Sequence, residues 1–495
     1  VIFRILAPAE AITSDERRRG LTMLLLDGVC TQTMLVLTGG AFLVAFALLL
    51  GASHKLIGVI AAAGPIAQIL QLPGIYLVER VRLRKAVVVS CAGFGRVFLL
   101  LMAAAPWILP ETRRLPIFVL GLFLFFGIGA VGGAAFTPWM RDLVPHRVLG
   151  RYFGRRLAVA VSVGAVVSIV AGRAVDLYIA RYASGAPAYA ALFVAGALVG
   201  FAGVGFLARI PEPRMSPPPE RSVWAVVAEP FRDAGFRPLM SFFGWWSFAA
   251  NFAGPFFAVY LLERLGLSLT WIMALFLVSQ AAYVVFLRVW GHIADRRTQK
   301  AVLTVSGPLF LISTAMWPFT TLPGPPGFVL GLLAAIHAVA GASTAGMALC
   351  GWNMAIKLAP RDRSASYLAS NALVSGVAAT AAPIAAGIAA DKLAGAGVHL
   401  VIGPPSWIAR GLPVLDLQAL DFVFLASIVA GVLALRRLRL VEERGPSAAG
   451  VSLADVQAEI RAAVRSVSSV AGLRFLSSFP YGIVRRRPPD DEDGD

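Results

Sequence analysis

The chain has 495 residues, 58% of them hydrophobic and only 14% charged, with a formal net charge of +17 and a mean hydropathy of +0.76. Soluble domains carry about 25% charged residues. Charge-free runs such as Thr33–Leu50 and Ala188–Leu207 are long enough for a helix to cross about 30 Å of hydrocarbon, so the composition excludes an ordinary soluble protein.

In chain order, "SDERRRG" precedes an apolar run too long for a cleavable leader. Twelve helical spans are predicted at about 22–50, 56–78, 86–108, 115–138, 156–180, 188–208, 238–262, 268–290, 301–320, 326–353, 365–391 and 417–436, with Pro and Gly punctuating the joins. After them, residues 452–476 open on a Ser-x-x-Asp cap and place Val456, Ile460, Val464 and Val467 on one face, the pattern of an amphipathic surface helix. The final "DDEDGD" is expected to be disordered. Cys30, Cys91 and Cys350 lie inside apolar runs and the five histidines are scattered, so no metal site, disulfide framework or cofactor is expected.

The cations explain the high charge. "ERRRG", "ERVRLRK", "RDLVPHRVLGRYFGRR", the segment around residues 209–237, "ADRRTQK", "KLAPRDR" and "RRLRLVEER" all fall on one side of the predicted bundle. The other side has only scattered cations, among them Lys55, Arg181, Arg264 and Lys392. The positive-inside rule puts the rich side, both termini and the middle loop in the cytoplasm, and no nucleic-acid partner is needed to account for the charge.

A duplication runs through the chain. Pro145, Tyr152, Gly172 and Asp176 recur as Pro360, Tyr367, Gly387 and Asp391, each pair 215 positions apart. Glu79-Arg80 recurs as Asp295-Arg296, 216 apart, and "AGFRPLMSFFG" is echoed by "AGLRFLSSFPYG" in the tail. Two halves with an even number of spans repeat in parallel about an axis along the membrane normal. The expected organisation is an N-terminal six-helix half over residues 1–210, a cytoplasmic middle loop over 211–237, a C-terminal six-helix half over 238–440 and a cytoplasmic tail over 441–495.

The segment "GHIADRRTQK" resembles a loop motif of the major facilitator superfamily. Gly291, Asp295, Arg296 and Lys300 fit it, and Glu79 and Arg80 form a degenerate first copy. The resemblance implies an all-α fold of twelve transmembrane helices in two parallel six-helix pseudo-repeats, rocking around a central cavity lined by spans 1, 4, 7 and 10. It also implies a secondary transporter of a small solute, commonly coupled to protons. Asp295 would latch the halves by accepting hydrogen bonds at a helix N-terminus, whereas Arg296 and Lys300 serve equally as topology anchors. Span 5 lacks the Gly-Pro motif of drug–proton antiporters, so multidrug antiport is less expected.

Ionisable groups inside hydrocarbon cost about 2.5–3.5 kcal/mol at a helix centre, so those present call for partners or functions. Asp27, with Thr31 and Thr38 on the same face, fits a proton carrier or a structural ion pair. Arg96, deep in span 3, fits a structural partner for Asp27. Asn251 in span 7, Gln280 in span 8, His337 in span 10 and Asn371 in span 11 are candidates for the solute or proton pathway, or for packing and helix–helix hydrogen bonds.

The expectation is therefore a secondary active transporter in a bacterial inner membrane, monomeric, working on a small molecule and protons, with efflux the favoured direction. Two alternatives stay open: flipping of a lipid-linked substrate, and a membrane transferase, for which Asp142 and His146 are the nearest approach to a catalytic set.

Overall fold

The computed structural model describes residues 12–145, 148–182, 184–215, 229–322, 325–360, 363–401, 414–443 and 458. The amphipathic helix expected over 452–476, the acidic end, His146 and most of the middle loop lie outside the described residues.

Among the described residues, twelve helical spans follow in order. The first is Ser14–Thr38 continued by Gly40–Leu49, and the second is His54–Ile69 continued by Gln71–Val81. The third to sixth are Arg84–Ile108, Glu111–Leu143, Leu149–Tyr182 and Ala186–Leu207. The seventh, Arg237–Val259, runs on into a wider π turn, Tyr260–Arg264. The remaining five are Leu269–Arg296, Gln299–Ala315, Pro326–Leu358, Ser364–Lys392 and Ala419–Arg439. Ten of the spans are individually long and apolar enough to cross a membrane. The second is a pair of helices bent by 42°. The seventh carries Trp245, Trp246, Ser247 and Asn251, and these polar and amphipathic groups lower its hydropathy. Several helices run one or two turns past the apolar runs, because charged turns at the cation-rich face stay helical in water.

The packing reproduces the duplication. Spans 1 and 6, 3 and 4, and 1 and 5 pack together in the first half, as 7 and 12, 9 and 10, and 7 and 11 do in the second. The halves meet mainly where span 2 packs on span 11 and span 5 on span 8.

Each half is tied at the cation-rich face by a buried carboxylate. Glu212, just after span 6, accepts from the backbone N–H of Arg84 (2.8 Å) and Lys85 (3.1 Å) at the start of span 3. Glu443, after span 12, accepts from Gln299 (3.3 Å) and Lys300 (2.7 Å) at the start of span 9. A carboxylate at a helix N-terminus satisfies donors that have no partner inside the helix. Arg84 is 1% exposed and also reaches Asp142 at 2.6 Å, so its charge is compensated where it is buried.

The repeated tyrosines act alike. Tyr152 on span 5 donates to the Leu21 carbonyl on span 1 (2.5 Å), and Tyr367 on span 11 donates to Asp233 just before span 7 (2.8 Å). The chain between spans 11 and 12 adds an antiparallel hairpin, Val398–Val401 with Val414–Leu417, where the sequence reads only as a long loop.

Candidate functional site

The first span is broken at Gly39–Gly40. Gly40 has φ 54°, a left-handed conformation that residues with a Cβ rarely adopt, and a Cβ on Gly39 would lie 2.6 Å from the Leu35 carbonyl oxygen. The break starts a new helix, Gly40–Leu49, whose first N–H groups have no partner within it. Irregular backbone at membrane depth is tolerated where it lines a cavity.

A cavity is present there. One of about 350 Å³ lies between spans 1, 5 and 8, and another of about 240 Å³ between spans 1, 2, 7 and 8. They share Gly40, Ala41 and Phe276, so they meet at the break. The larger one presents the side chains of Gln32, Ser168 and Gln280 beside Phe42 and Phe276. Among the described residues, none lining either cavity is charged.

The candidates from sequence fall into separate places. Gln280 lines the larger cavity. His337 is 5% exposed, bonds the Leu333 carbonyl through Nδ1, and packs between Phe276 and Trp317 (ring centroids 5.9 and 5.7 Å), one layer behind the cavity wall. Asn251 donates to the Ser247 carbonyl of its own helix. The Asn371 side-chain oxygen is buried with no hydrogen-bond partner.

Asp27 does not reach the cavity. It is 4% exposed, receives Thr31 Oγ1 at 3.4 Å, and pairs with Arg156 of span 5 at 3.3 Å. Arg96 lies close by, with one guanidinium nitrogen buried and unbonded. The nearest ion pair of Asp27 is thus with span 5 rather than with span 3. Arg156, at the start of the apolar run of span 5, packs onto Gly28 of span 1, where only the missing Cβ leaves room.

At the cation-rich face, Asp295 is exposed and makes no hydrogen bond or ion pair among the described residues. Glu79 and Arg80 are also exposed, and the Lys300 ammonium bonds the carbonyls of Arg439 and Val441. Gly291 is partly buried, with a Leu349 methyl 3.7 Å from where its Cβ would be. Arg296 is exposed at the surface. At this face the pairs Arg84–Asp142, Arg156–Asp27 and Lys357–Glu443 each join elements of one half.

The halves are instead fastened at the cation-poor face, by the rest of the repeat. Asp176, at the end of span 5, accepts from Leu269 N–H (3.0 Å), Thr270 N–H (2.8 Å) and Thr270 Oγ1 (2.5 Å) at the start of span 8. Asp391, at the end of span 11, accepts from Lys55 N–H (3.0 Å) at the start of span 2. The capped sites are themselves related by the repeat, since 269 − 54 and 391 − 176 are both 215. One turn earlier, a Cβ on Gly172 would lie 3.2 Å from the Leu269 carbonyl, and one on Gly387 would lie 2.4 Å from the His54 carbonyl. Glycine permits this backbone contact, and aspartate locks it.

Sequence reasoning recorded Gly172, Asp176, Gly387 and Asp391 as a repeat but gave them no task. It also missed Glu212 and Glu443, whose signal is a lone acid after the last span of each half, in "IPEPR" and "VEER". The Gly39–Gly40 pair was the readable sign of the break.

The Major Facilitator Superfamily profile matches residues 28–383. Among solved structures, a mutant of the nucleoside transporter NupG is 15% identical with a TM-score of 0.62, covering 86% of this chain and 100% of that one. A bacterial homologue of the iron transporter ferroportin in an inward-facing state is 15% identical (TM-score 0.58; 85% and 98% covered). A D-xylose–proton symporter is 14% identical (TM-score 0.57; 88% and 99% covered). No curated protein sequence matches. With its duplicated twelve-helix fold, a cavity at the seam and a family match over most of its length, the chain belongs to the Major Facilitator Superfamily, as a multi-pass secondary transporter.

Proposed function

We propose that the protein carries a small, uncharged solute with hydrogen-bonding groups, by alternating access and coupled to protons. The observation that carries this reading is the charge-free lining of the cavities at the Gly39–Gly40 break, where Gln32, Ser168 and Gln280 stand beside Phe42 and Phe276. A fixed charge on a solute would enter that wall without a counter-ion, at a desolvation penalty that hydrogen bonds alone do not offset. Amides and a hydroxyl, with free N–H groups at a helix start, suit hydroxyl and carbonyl groups instead. A cavity of about 350 Å³ is at the small end of the range for ligand sites, roughly 300–1,000 Å³.

In this reading the cation-rich face is cytoplasmic, with both termini there, in a bacterial inner membrane. The protein works as a monomer. The fastened cation-poor face then corresponds to a state open to the cytoplasm.

The test is uptake and release in proteoliposomes under an imposed pH gradient, with uncharged polar solutes compared against charged analogues. Saturable flux of an uncharged solute is expected, lowered about tenfold or more by Gln280→Leu through loss of one hydrogen bond to the solute. Saturable flux confined to charged solutes would overturn the reading. Asp27→Asn in the same assay decides between its two uses. Loss of proton movement with solute flux intact makes Asp27 the carrier, and unchanged coupling makes it an anchor for Arg156.

A further inference from the structure

The two copies of the cation-poor gate differ in one respect. At the 5–8 contact, the carboxylate of Asp176 meets, among the described residues, backbone N–H groups and a threonine hydroxyl. At the 2–11 contact, the position equivalent to Leu269 is His54, and its ring stands between two carboxylates from the other half. His54 Nε2 is 3.0 Å from Glu263, on the π turn that ends span 7, and Nδ1 is 3.4 Å from Asp391 on span 11. A neutral imidazole has one N–H donor and one acceptor nitrogen. Two carboxylate acceptors facing both nitrogens are satisfied only when both carry protons.

Glu263 lies on the π turn Tyr260–Arg264 that ends span 7, and its carboxylate reaches across the seam to the start of span 2. The other charged groups of the neighbouring elements leave His54 to these two acids. Lys55, on its own helix, and Lys392, next to Asp391, are exposed. Arg264, next to Glu263, is held by Asp416 at 2.7 Å. Span 4, which also packs on span 2, begins with Glu111, Arg113 and Arg114, and of these Arg114 is paired with Glu111. Side-chain exposures of 23% for His54, 45% for Glu263 and 33% for Asp391 leave the cluster accessible to protons from the cation-poor side.

We propose that His54 is a proton-binding site that locks the gate at the cation-poor face: the doubly protonated ring ties span 2 to spans 7 and 11. Loss of one proton to water leaves a neutral ring that can donate to only one carboxylate, so the second bond is replaced by two facing acceptors. The gate then opens more readily. Histidine is the side chain whose ordinary charge change falls in the physiological range. The asymmetry of the repeat gives one contact that closes by shape and backbone capping, and one that closes only when protonated. This inference rests on the alternating-access reading, and it places a proton requirement at the gate rather than at Asp27.

The experiment is a distance measurement across the gate in lipid nanodiscs. Cys30, Cys91 and Cys350 are replaced by Ser, and spin labels are placed at Ser184→Cys and Ser268→Cys, one in each half. The expected result is a closed population at about pH 5 and an open-to-closed ratio at least roughly tenfold higher by about pH 8, following the histidine range. His54→Gln, which offers one amide and no titration, is expected to remove the pH response. His54→Lys, a fixed cation, is expected to hold the gate closed across the range. Glu263→Gln, on an exposed turn, is expected to shrink the response without affecting folding. If His54→Gln keeps the wild-type pH response, or if the wild type shows both distances in pH-independent proportion, the proton lock is overturned while alternating access stands. A single distance in every variant at every pH overturns the lock together with the reading beneath it.

Discussion

The carboxylate of Asp176 caps the N-terminus of span 8 through the backbone N–H of Leu269 at 3.0 Å, joining the two halves of the molecule at the face that carries few cations. Asp391 does the same for span 2 at Lys55. A capping carboxylate satisfies donors that otherwise wait for water, and its charge suits the helix dipole. In the alternating-access reading these bonds belong to the closed gate, so they act on the balance between states more than on folding.

Asp176→Asn keeps one acceptor oxygen and loses the charge. It is expected to raise the open-to-closed ratio at this face by roughly 5- to 150-fold, the equivalent of about 1–3 kcal/mol for weakened charge-assisted bonds. Spin-label distances or external thiol labelling at Ser268→Cys would show it. Wild-type proportions in the variant would remove Asp176 from the gate.

The glycines predict a graded steric effect. A methyl at Gly387 would meet the His54 carbonyl oxygen at 2.4 Å, and one at Gly172 would meet the Leu269 carbonyl at 3.2 Å. Gly387→Ala is therefore expected to prevent closure, whereas Gly172→Ala is absorbed by a shift of a few tenths of an ångström and leaves the gate working. Equal effects from the two substitutions would count against backbone contact as the closing element.

Glu212 is expected to matter for stability rather than for the gate. It is 1% exposed and serves two backbone N–H groups, with the Arg84 guanidinium 3.5 Å away. Breaking a buried pair on one side typically costs about 3–5 kcal/mol, because the partner charge is left uncompensated. Glu212→Gln should lower the thermal unfolding midpoint in detergent by several degrees and leave the gate distances of the surviving folded protein unchanged. The same substitution at Glu443 should act alike in the second half, where the carboxylate also holds Lys357 at 2.8 Å.

An acid-side stability change is expected from Asp233. The Tyr367 hydroxyl, followed by the backbone N–H groups of Gly235 and Phe236, holds this carboxyl below its ordinary value of 3.8. A group whose value is depressed on folding stabilises the fold fully above its unfolded value, and the contribution is lost as pH falls through the folded one. Wild-type protein should therefore lose part of its stability on acidification below about pH 4. Tyr367→Phe should show a smaller loss over that window, compared by thermal unfolding at several pH values. An unchanged acid slope in Tyr367→Phe would mean that the hydroxyl does not set the charge of Asp233.

Much was legible in the residues. Helices in hydrocarbon satisfy their own backbone, so apolar length marks most of the spans, the bent second and the Trp- and Asn-bearing seventh being the weakest, and the loop cations mark the sides. The 215-residue displacement exposed the duplication directly. The site was read less completely. Gln280, on span 8 and outside the spans expected to line the pathway, was open to either a pathway or a packing role and lines the cavity, while Asp27 gave no sign that Arg156 would be its nearest partner. That pairing depends on how spans 1 and 5 pack against each other, with Gly28 leaving room for the Arg156 guanidinium.

What the sequence by itself determined is the membrane class, the parallel duplication and the asymmetry of charge, because each follows from hydropathy and spacing along the chain. Only the tertiary structure decided that Gly172, Asp176, Gly387 and Asp391 fasten opposite halves, and that His54 stands between Glu263 and Asp391. Their partners are more than 90 residues away in the chain, at helix starts whose free N–H groups become visible only when the two bundles are set against each other.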